Sequence, residues 1–303
     1  MQKSNNSIKH VLFFLGSITI IFFTTNTLKA QQWTSSADGL LQFAKTTITK
    51  LPNKNSIPAT AIKIKVDPSK TFQTMEGFGY GLTGGSAELI HALPKEKRAL
   101  LLKEIFGQSE ADLGVSYIRI SLGASDLDPA VFSYCDLPKG ETDSALTHFS
   151  LSKDTLHLIP ILKEVLTINP SIKIMASPWS PPVWMKTNGN SMGGHLLKKY
   201  YGAYANYFVK YIRAMQANGI PLHSITMQNE PEHGGNNPSL LMDAAEQTEF
   251  LRDYLGPKLK EAKINIEVVL YDHNADHPNY PIAILNDVKA KSFAAAKTLH
   301  FYF

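Results

Sequence analysis

Ser224-Ile225-Thr226-Met227-Gln228-Asn229-Glu230-Pro231 decides how the chain is read. From Ser224 to Gln228 polar and apolar residues alternate, the period-two pattern of a strand. Pro231 stops that strand, because proline cannot donate to a β-ladder. The run therefore delivers a carboxylic acid, beside the amide of Asn229, to the carboxyl end of a strand. In β/α barrels that end carries the chemistry. A carboxyl group held there suits general acid/base cleavage of a glycosidic bond. The same residues also spell an ordinary strand and turn, since Asn and Pro both favour turns. The surrounding sequence has to decide between them.

Strand and helix signals alternate on both sides of this run. Tyr117–Leu122, Lys173–Trp179, Glu267–Asp272 and Thr298–Phe303 read as further strands, and Gly77–Gly79 as the first of the series. Helical spacing fits about Ser86–Phe106, Lys153–Ile168, Leu196–Asn218, Ala244–Lys263 and Pro281–Ser292. Tyr200, Tyr201, Tyr204, Tyr207, Phe208 and Tyr211 fall on one helical face, which reads as wall packing, not a ligand platform. Strands separated by helices predict an α/β fold with a parallel sheet. Residues 76–303 then make about six of the eight units of a (β/α)8 barrel. An open doubly wound sheet is the alternative, but no G-x-G-x-x-G fingerprint joins a strand to a helix. A central parallel strand at the terminus leaves an unpaired edge, so the chain is expected to be truncated relative to a complete fold.

Ahead of this body, Lys3 and Lys9 precede the apolar stretch Val11–Phe23, and Leu28-Lys29-Ala30 offers an imperfect cleavage site. Residues 1–30 read as a signal peptide, too short in its apolar part for a spanning helix. The mature chain is expected to be exported, to the periplasm, the cell surface or the exterior, with no integral membrane span. Residues 31–60 are polar and read as a short helix at most, then a linker. Ala61–Val66 alternates and reads as a half-buried strand of a side β-domain within 61–75.

Hydrophobic residues make up 44% and charged residues 18% of the chain, the composition of a folded body. The net charge of +4 from 30 basic and 26 acidic residues includes Lys3, Lys9 and Lys29; without them 27 face 26, a net +1. That balance gives no electrostatic case for nucleic acid as a partner. Cys135 is the only cysteine, which excludes an internal disulfide and reads as a buried small residue.

Several strand ends carry groups that could converge on Glu230. Arg119 stands in a strand of apolar and small residues, either as a buried ion-pair partner or as a cation keeping a nearby carboxylate ionised. Asp126 follows in the next loop, solvated or hydrogen-bonded to a sugar hydroxyl. Ser177-Pro178-Trp179-Ser180-Pro181-Pro182-Val183-Trp184 is a stiff aromatic loop. Aromatic faces suit the C–H faces of sugars; Trp179 is expected to face a ligand and Trp184 to pack. Asp272-His273 and His300 invite a metal reading, but no H-E-x-x-H or other ligand spacing is present, and neither metal nor cofactor is expected. His300 and Tyr302 share a strand face and could orient a carboxylate. Glu232 lies beyond the proline and reads as a rim residue.

Glu76-Gly77-Phe78-Gly79, Arg119, the loop from Ser177-Pro178-Trp179 to Lys186-Thr187-Asn188-Gly189, and Asn229-Glu230-Pro231 occur in an order that resembles the glucosylceramidase-like retaining glycoside hydrolases of family 30. The likeness covers about Ile62 to Phe303. It implies a (β/α)8 TIM barrel with a small β-domain and a β-glucoside as partner, a glycolipid or, as the alternative, a β-1,6-glucan. It implies Glu230 as the catalytic acid/base, Asn229 as donor to the sugar 2-hydroxyl, and Asp126 and Trp179 as substrate contacts. Arg119, His300 and Tyr302 match positions near the nucleophile, with Phe301 replacing the family's Trp. The family's nucleophile is a Glu on the seventh strand, which no residue here matches. The chain itself is therefore expected to be inactive, and an inactive carbohydrate-binding remnant is the reading from another class.

Overall fold

Tyr117–Leu122 shows how the body is built. Ile118, Ile120 and Leu122 are fully buried and join the main hydrophobic cluster, whereas Arg119 and Ser121 lie on the opposite face by the strand's period of two. The same division recurs on the neighbouring strands, where Ile174, Ala176 and Ile225 enter that cluster while Ser177 and Thr226 are buried polar groups of the other face. Val268 and Leu270 also enter it, and the buried Asp272, of the same parity, departs from the alternation where the register becomes irregular after Tyr271. The structure is a computed structural model that describes residues 30–42, 44–48, 58, 60–62, 64–294 and 296–300, with backbone alone at 30, 31 and 296–300. The chain divides into two units, Met1–Phe72 and Gln73–Phe303.

In the first unit β1 (Ala30–Thr34) pairs antiparallel with β2 (Ala44–Ile48), so the short helix expected within 31–60 is a hairpin instead. The Thr-rich sequence of β2 favours strand over helix, and Trp33 sits opposite Lys45, whose Nζ lies 5.4 Å from the indole centroid. Ser36 and Asp38 fold the connection, with Asp38 accepting from the Leu40 amide at 3.0 Å. Ala61–Val66, expected as a strand, forms none among the described residues. Its alternating Ile62, Ile64 and Val66 are all exposed, and a strand without a ladder partner has nothing to satisfy its backbone. Lys63, residues 49–57 and the segment up to residue 29, expected as a signal peptide, lie outside the described residues.

The second unit holds six parallel strands in unbroken chain order, β3 (Gly79–Leu82), β4 (Tyr117–Leu122), β5 (Lys173–Pro178), β6 (Ser224–Thr226), β7 (Glu267–Asn274) and β8 (Ala296–His300). A doubly wound sheet reverses its strand order at a switch point; this one never does, which is the order of a β/α barrel wall. The first strand starts at Gly79, later than the expected Gly77. It runs so close to β4 that a Cβ on Gly79 would lie 1.4 Å from the Tyr117 carbonyl oxygen.

Helices fill the connections, with proline setting their limits. The single helix expected over Ser86–Phe106 is two, α1 (Gly84–His91) and α2 (Lys95–Phe106), divided at Pro94. α3 (Leu158–Ile168) begins five residues later than expected, which keeps Pro160 in the first turn where its missing N–H costs nothing. α4 (Tyr201–Ala217) buries the aromatic stripe, as expected from its spacing. α5 (Ala244–Glu249) and α6 (Gly256–Glu261) are joined through a π-helical turn, Phe250–Leu255, just before Pro257. α7 (Asn279–Asn286) and α8 (Val288–Lys291) precede β8.

Tyr134 stacks on Tyr211 and Tyr207 of α4 at 5.4 and 5.9 Å and donates its hydroxyl to Asp154 at 2.6 Å. Burial pushes the Asp154 carboxyl up to about 7, against the Tyr134 hydrogen bond. A carboxyl raised in the fold contributes stability that is complete below its unfolded pKa, near 4, and is lost as pH rises to about 7. Asp154→Asn is expected to gain on the order of 4 kcal/mol relative to the parent between those limits and to hold that gain above them. Urea unfolding of both proteins at a series of pH values checks this; a difference independent of pH contradicts it.

Candidate active site

Arg119 projects from the polar face of β4 into a set of acceptors supplied by three neighbouring segments. Its Nη2 donates to Ser177 Oγ at 3.0 Å, to Asn229 Oδ1 at 2.7 Å and to Asp272 Oδ2 at 2.7 Å. Asp272 is wholly buried at the end of β7 and also accepts from Thr226 Oγ1 at 2.7 Å and from Ser177 Oγ. The two hydroxyls offset part of the large cost of burying this ion pair. On its other side the guanidinium lies 4.6 Å from the centroid of the Trp179 ring, within cation–π range.

The segment after β6 is pinned to both neighbouring strands. Asn229 donates its backbone N–H to the Pro178 carbonyl at 2.8 Å, and Glu230 donates its own to the Asp272 carbonyl at 3.0 Å. The buried Gln228 side chain bonds the carbonyls of Trp179 and Asn229 at 2.7 and 2.8 Å. Glu230 takes a left-handed conformation, φ 43°, and across the junction Tyr271 and Asp272 do so too, at 74° and 56°. Such conformations cost roughly 1–3 kcal/mol each outside glycine and gather at functional sites. Here they turn the chain after β6 and shift the register within β7 where the Glu230 amide meets the Asp272 carbonyl. The half-buried Glu230 carboxylate accepts from Asn236 Nδ2 at 2.9 Å.

Arg119 fixes the orientation of Asn229. With Oδ1 accepting from the guanidinium, Nδ2 is the group left to donate outward. Trp179 is only 6% exposed, so the contact it offers is an edge of a ring already covered by Arg119. Trp184 packs, as expected: its Nε1 donates to the Cys135 carbonyl at 2.9 Å and its ring meets Tyr200 edge-on at 5.0 Å. Burial pushes the Cys135 thiol up to about 11, which leaves it no nucleophile.

Of the residues singled out in the sequence, Arg119, Trp179, Asn229 and Glu230 come together. Asp126 does not join them: it is exposed in the loop after β4, and among the described residues no hydrogen bond links it to that set. His300 pairs by backbone register with Asn274 in β7. Its side chain and Tyr302 lie outside the described residues. Glu232 is a rim group, 38% exposed. Against the upward push of partial burial, hydrogen bonds from Tyr271 and His277 hold its carboxyl below the usual range. Among the described residues no cluster of three or more His, Cys, Asp or Glu could hold a metal ion, and no helix is long and apolar enough to cross a membrane.

Asp272, Ser177, Thr226 and Asn236 were not anticipated as parts of the site. Asp272 had a signal, since a cation inside a parallel sheet needs a buried counter-charge and Asp272 is the acid that closes the strand expected from the sequence. Asn236 had none, because its contact depends on how a loop folds back.

A parallel sheet in chain order, with an acid and its amide neighbour at the carboxyl end and a buried Arg–Asp pair beneath them, defines a β/α-barrel enzyme domain. Residues 75–303 match the glycosyl hydrolase family 30 TIM-barrel domain, and the chain belongs to that family. It is 33% identical over 288 residues to an endo-1,6-β-D-glucanase of Neurospora crassa, covering 91% of this chain and 58% of the relative. It is 30% identical over 255 residues to the lysosomal acid glucosylceramidase of Mus musculus, covering 80% and 48%. The solved structure of an endo-β1,6-glucanase superposes with a TM-score of 0.79 and 34% identity over 89% of this chain and 59% of that one. The chain thus spans about half the length of the curated relatives it matches.

Proposed function

We propose that the protein carrying this chain is an exported retaining glycoside hydrolase that cleaves a β-glucosidic bond, with Glu230 as acid/base. The observation that carries this reading is the pinning of the Asn229–Glu230 pair onto the Arg119–Asp272 ion pair at the carboxyl end of the sheet. Glu230 would protonate the leaving oxygen and then take a proton from the incoming water. Asn229 Nδ2 would donate to the sugar 2-hydroxyl, a contact that strengthens as positive charge develops at the ring. Trp179 would border the sugar, and Asp126 would reach it from the loop after β4. His300 and Tyr302 would orient the second carboxyl, for which the family reading looks beyond β8.

A β-1,6-glucan is the substrate class we favour. The Neurospora relative and the solved structure, both named for that activity, are each more similar to this chain than the mouse glucosylceramidase is. The loop from Glu232 to Pro238 is polar, with no greasy surface for a lipid. Glucosylceramide is the second reading, supported by the mouse relative. Reducing ends released from a β-1,6-glucan, compared with glucose released from glucosylceramide in mixed micelles, test the choice. The glucan is expected to be hydrolysed at least about tenfold faster by kcat/KM, the scale of one good subsite contact. Preference for the glycolipid would reverse the substrate reading, and hydrolysis of neither would remove the activity.

A further inference from the structure

Two loops at the carboxyl end of the sheet are knitted into one unit. The Ser239 amide donates to the Ser191 carbonyl at 3.0 Å, and the Leu241 amide to the Gly194 carbonyl at 2.8 Å. The Gly193 amide donates to Ser239 Oγ at 2.9 Å, and Ser191 Oγ donates to Asn237 Oδ1 at 2.7 Å. At the centre lies Lys186, only 3% exposed, whose Nζ donates to the carbonyls of Ser191 at 2.8 Å and Ser239 at 2.6 Å. It thereby holds one carbonyl from each loop. Among the described residues no carboxylate pairs with it. A buried ammonium satisfied only by carbonyls is costly, and burial pushes this one down to about 7. A hydrophobic residue would fill the space but take a donor from both carbonyls, leaving that of Ser191 with the Ser239 amide alone.

The second of these loops carries Asn236, the residue that donates to the Glu230 carboxylate. We infer that Asn236 is a positioning residue for Glu230, and that Lys186 positions it in turn by fastening the Glu232–Leu241 loop to the Thr187–Leu196 loop. The inference rests on the reading of Glu230 as acid/base. Asn236 Nδ2 fixes one carboxylate oxygen at 2.9 Å, so it constrains how the Glu230 carboxyl is turned. Gly194, φ +71°, turns so tightly over Asn188 that a Cβ there would lie 2.5 Å from Asn188 Oδ1, which keeps the first loop's tip in register with Leu241.

Acid positioning has a signature that damage to folding lacks. A dinitrophenyl leaving group departs without protonation, whereas an alkyl leaving group needs the acid. For Asn236→Ala, kcat/KM on an alkyl β-glucoside is expected to fall about tenfold, the scale of one hydrogen bond to a charged group, with less than about a twofold change on the dinitrophenyl β-glucoside. Lys186→Met is expected to show the same selectivity together with faster amide exchange across residues 187–195 and 234–241. Equal losses on both substrates, or no loss on either, for Asn236→Ala would overturn the inference. So would a Lys186→Met protein with parental selectivity and parental exchange. If Lys186→Met does not fold, Asn236→Ala decides alone. Glu230→Ala run alongside separates the two levels. If it lacks leaving-group selectivity, the acid/base reading itself fails; if it has it and Asn236→Ala does not, only the present inference fails.

Discussion

Glu230→Ala is expected to lower kcat/KM for an alkyl β-glucoside by roughly 10²–10⁴-fold, the usual contribution of a positioned general acid. On a dinitrophenyl β-glucoside the same variant should keep kcat/KM near the parental value while kcat falls, because the glycosyl–enzyme still forms but no base activates the water that releases it. The asymmetry follows from placement. The Glu230 amide is held by the Asp272 carbonyl, so truncation at Cβ removes the proton donor while the backbone bond that places this segment, and the Arg119 bond to Asn229, remain. Steady-state kinetics on the two substrates read the effect. Parallel losses on both would mean that Glu230 supports the site without transferring a proton.

Asp272→Asn carries the second large effect, on stability. The parent carboxylate is wholly buried and accepts from Arg119, Thr226 and Ser177. Asn tolerates the left-handed backbone at this position, φ 56°, so the substitution removes charge without adding backbone strain. It leaves the Arg119 guanidinium, 17% exposed, without its counter-ion. Breaking a buried pair from one side costs roughly 3–5 kcal/mol, and urea unfolding should show a loss of that size. The double variant Arg119→Met with Asp272→Asn should regain much of it, since no uncompensated charge remains and Asn keeps both the left-handed backbone and an acceptor for the two hydroxyls. A single-variant loss below about 1 kcal/mol, the range of exposed pairs, would mean that the pair is solvated and does not organise the site.

These two residues also mark how far the sequence could be read. β4 was legible to the residue, Tyr117–Leu122, because its two faces differ in chemistry and the period of two separates them. The acid at the end of β6 was legible because Pro231 fixes where the strand must stop. Arg119 was visible as a cation out of place; the identity of its partner was not, since β4 and β7 are far apart in sequence and are brought within reach only when the sheet forms. Helix limits failed where a single proline overrode a continuous apolar pattern, at Pro94 and Pro160. The N-terminal hairpin was missed because its pairing joins two polar runs with no apolar period to announce them. Ala61–Val66 failed in the opposite direction: it has the alternation of a strand and, among the described residues, no neighbour to pair with. Asn236 belongs to a different class of miss. Its contact depends on Lys186 drawing two loops together, and nothing in local spacing encodes a tie between a lysine and two carbonyls.

Azide added to Glu230→Ala acting on a dinitrophenyl β-glucoside separates an acid/base from a nucleophile at this position. A small anion can enter the space left by an acid/base and attack the glycosyl–enzyme without a base. With Glu230 as acid/base, kcat is expected to recover with azide and the product to be β-glucosyl azide, with configuration retained. Formation of the α-azide would make Glu230 the nucleophile, and no response to azide would leave it outside the chemistry.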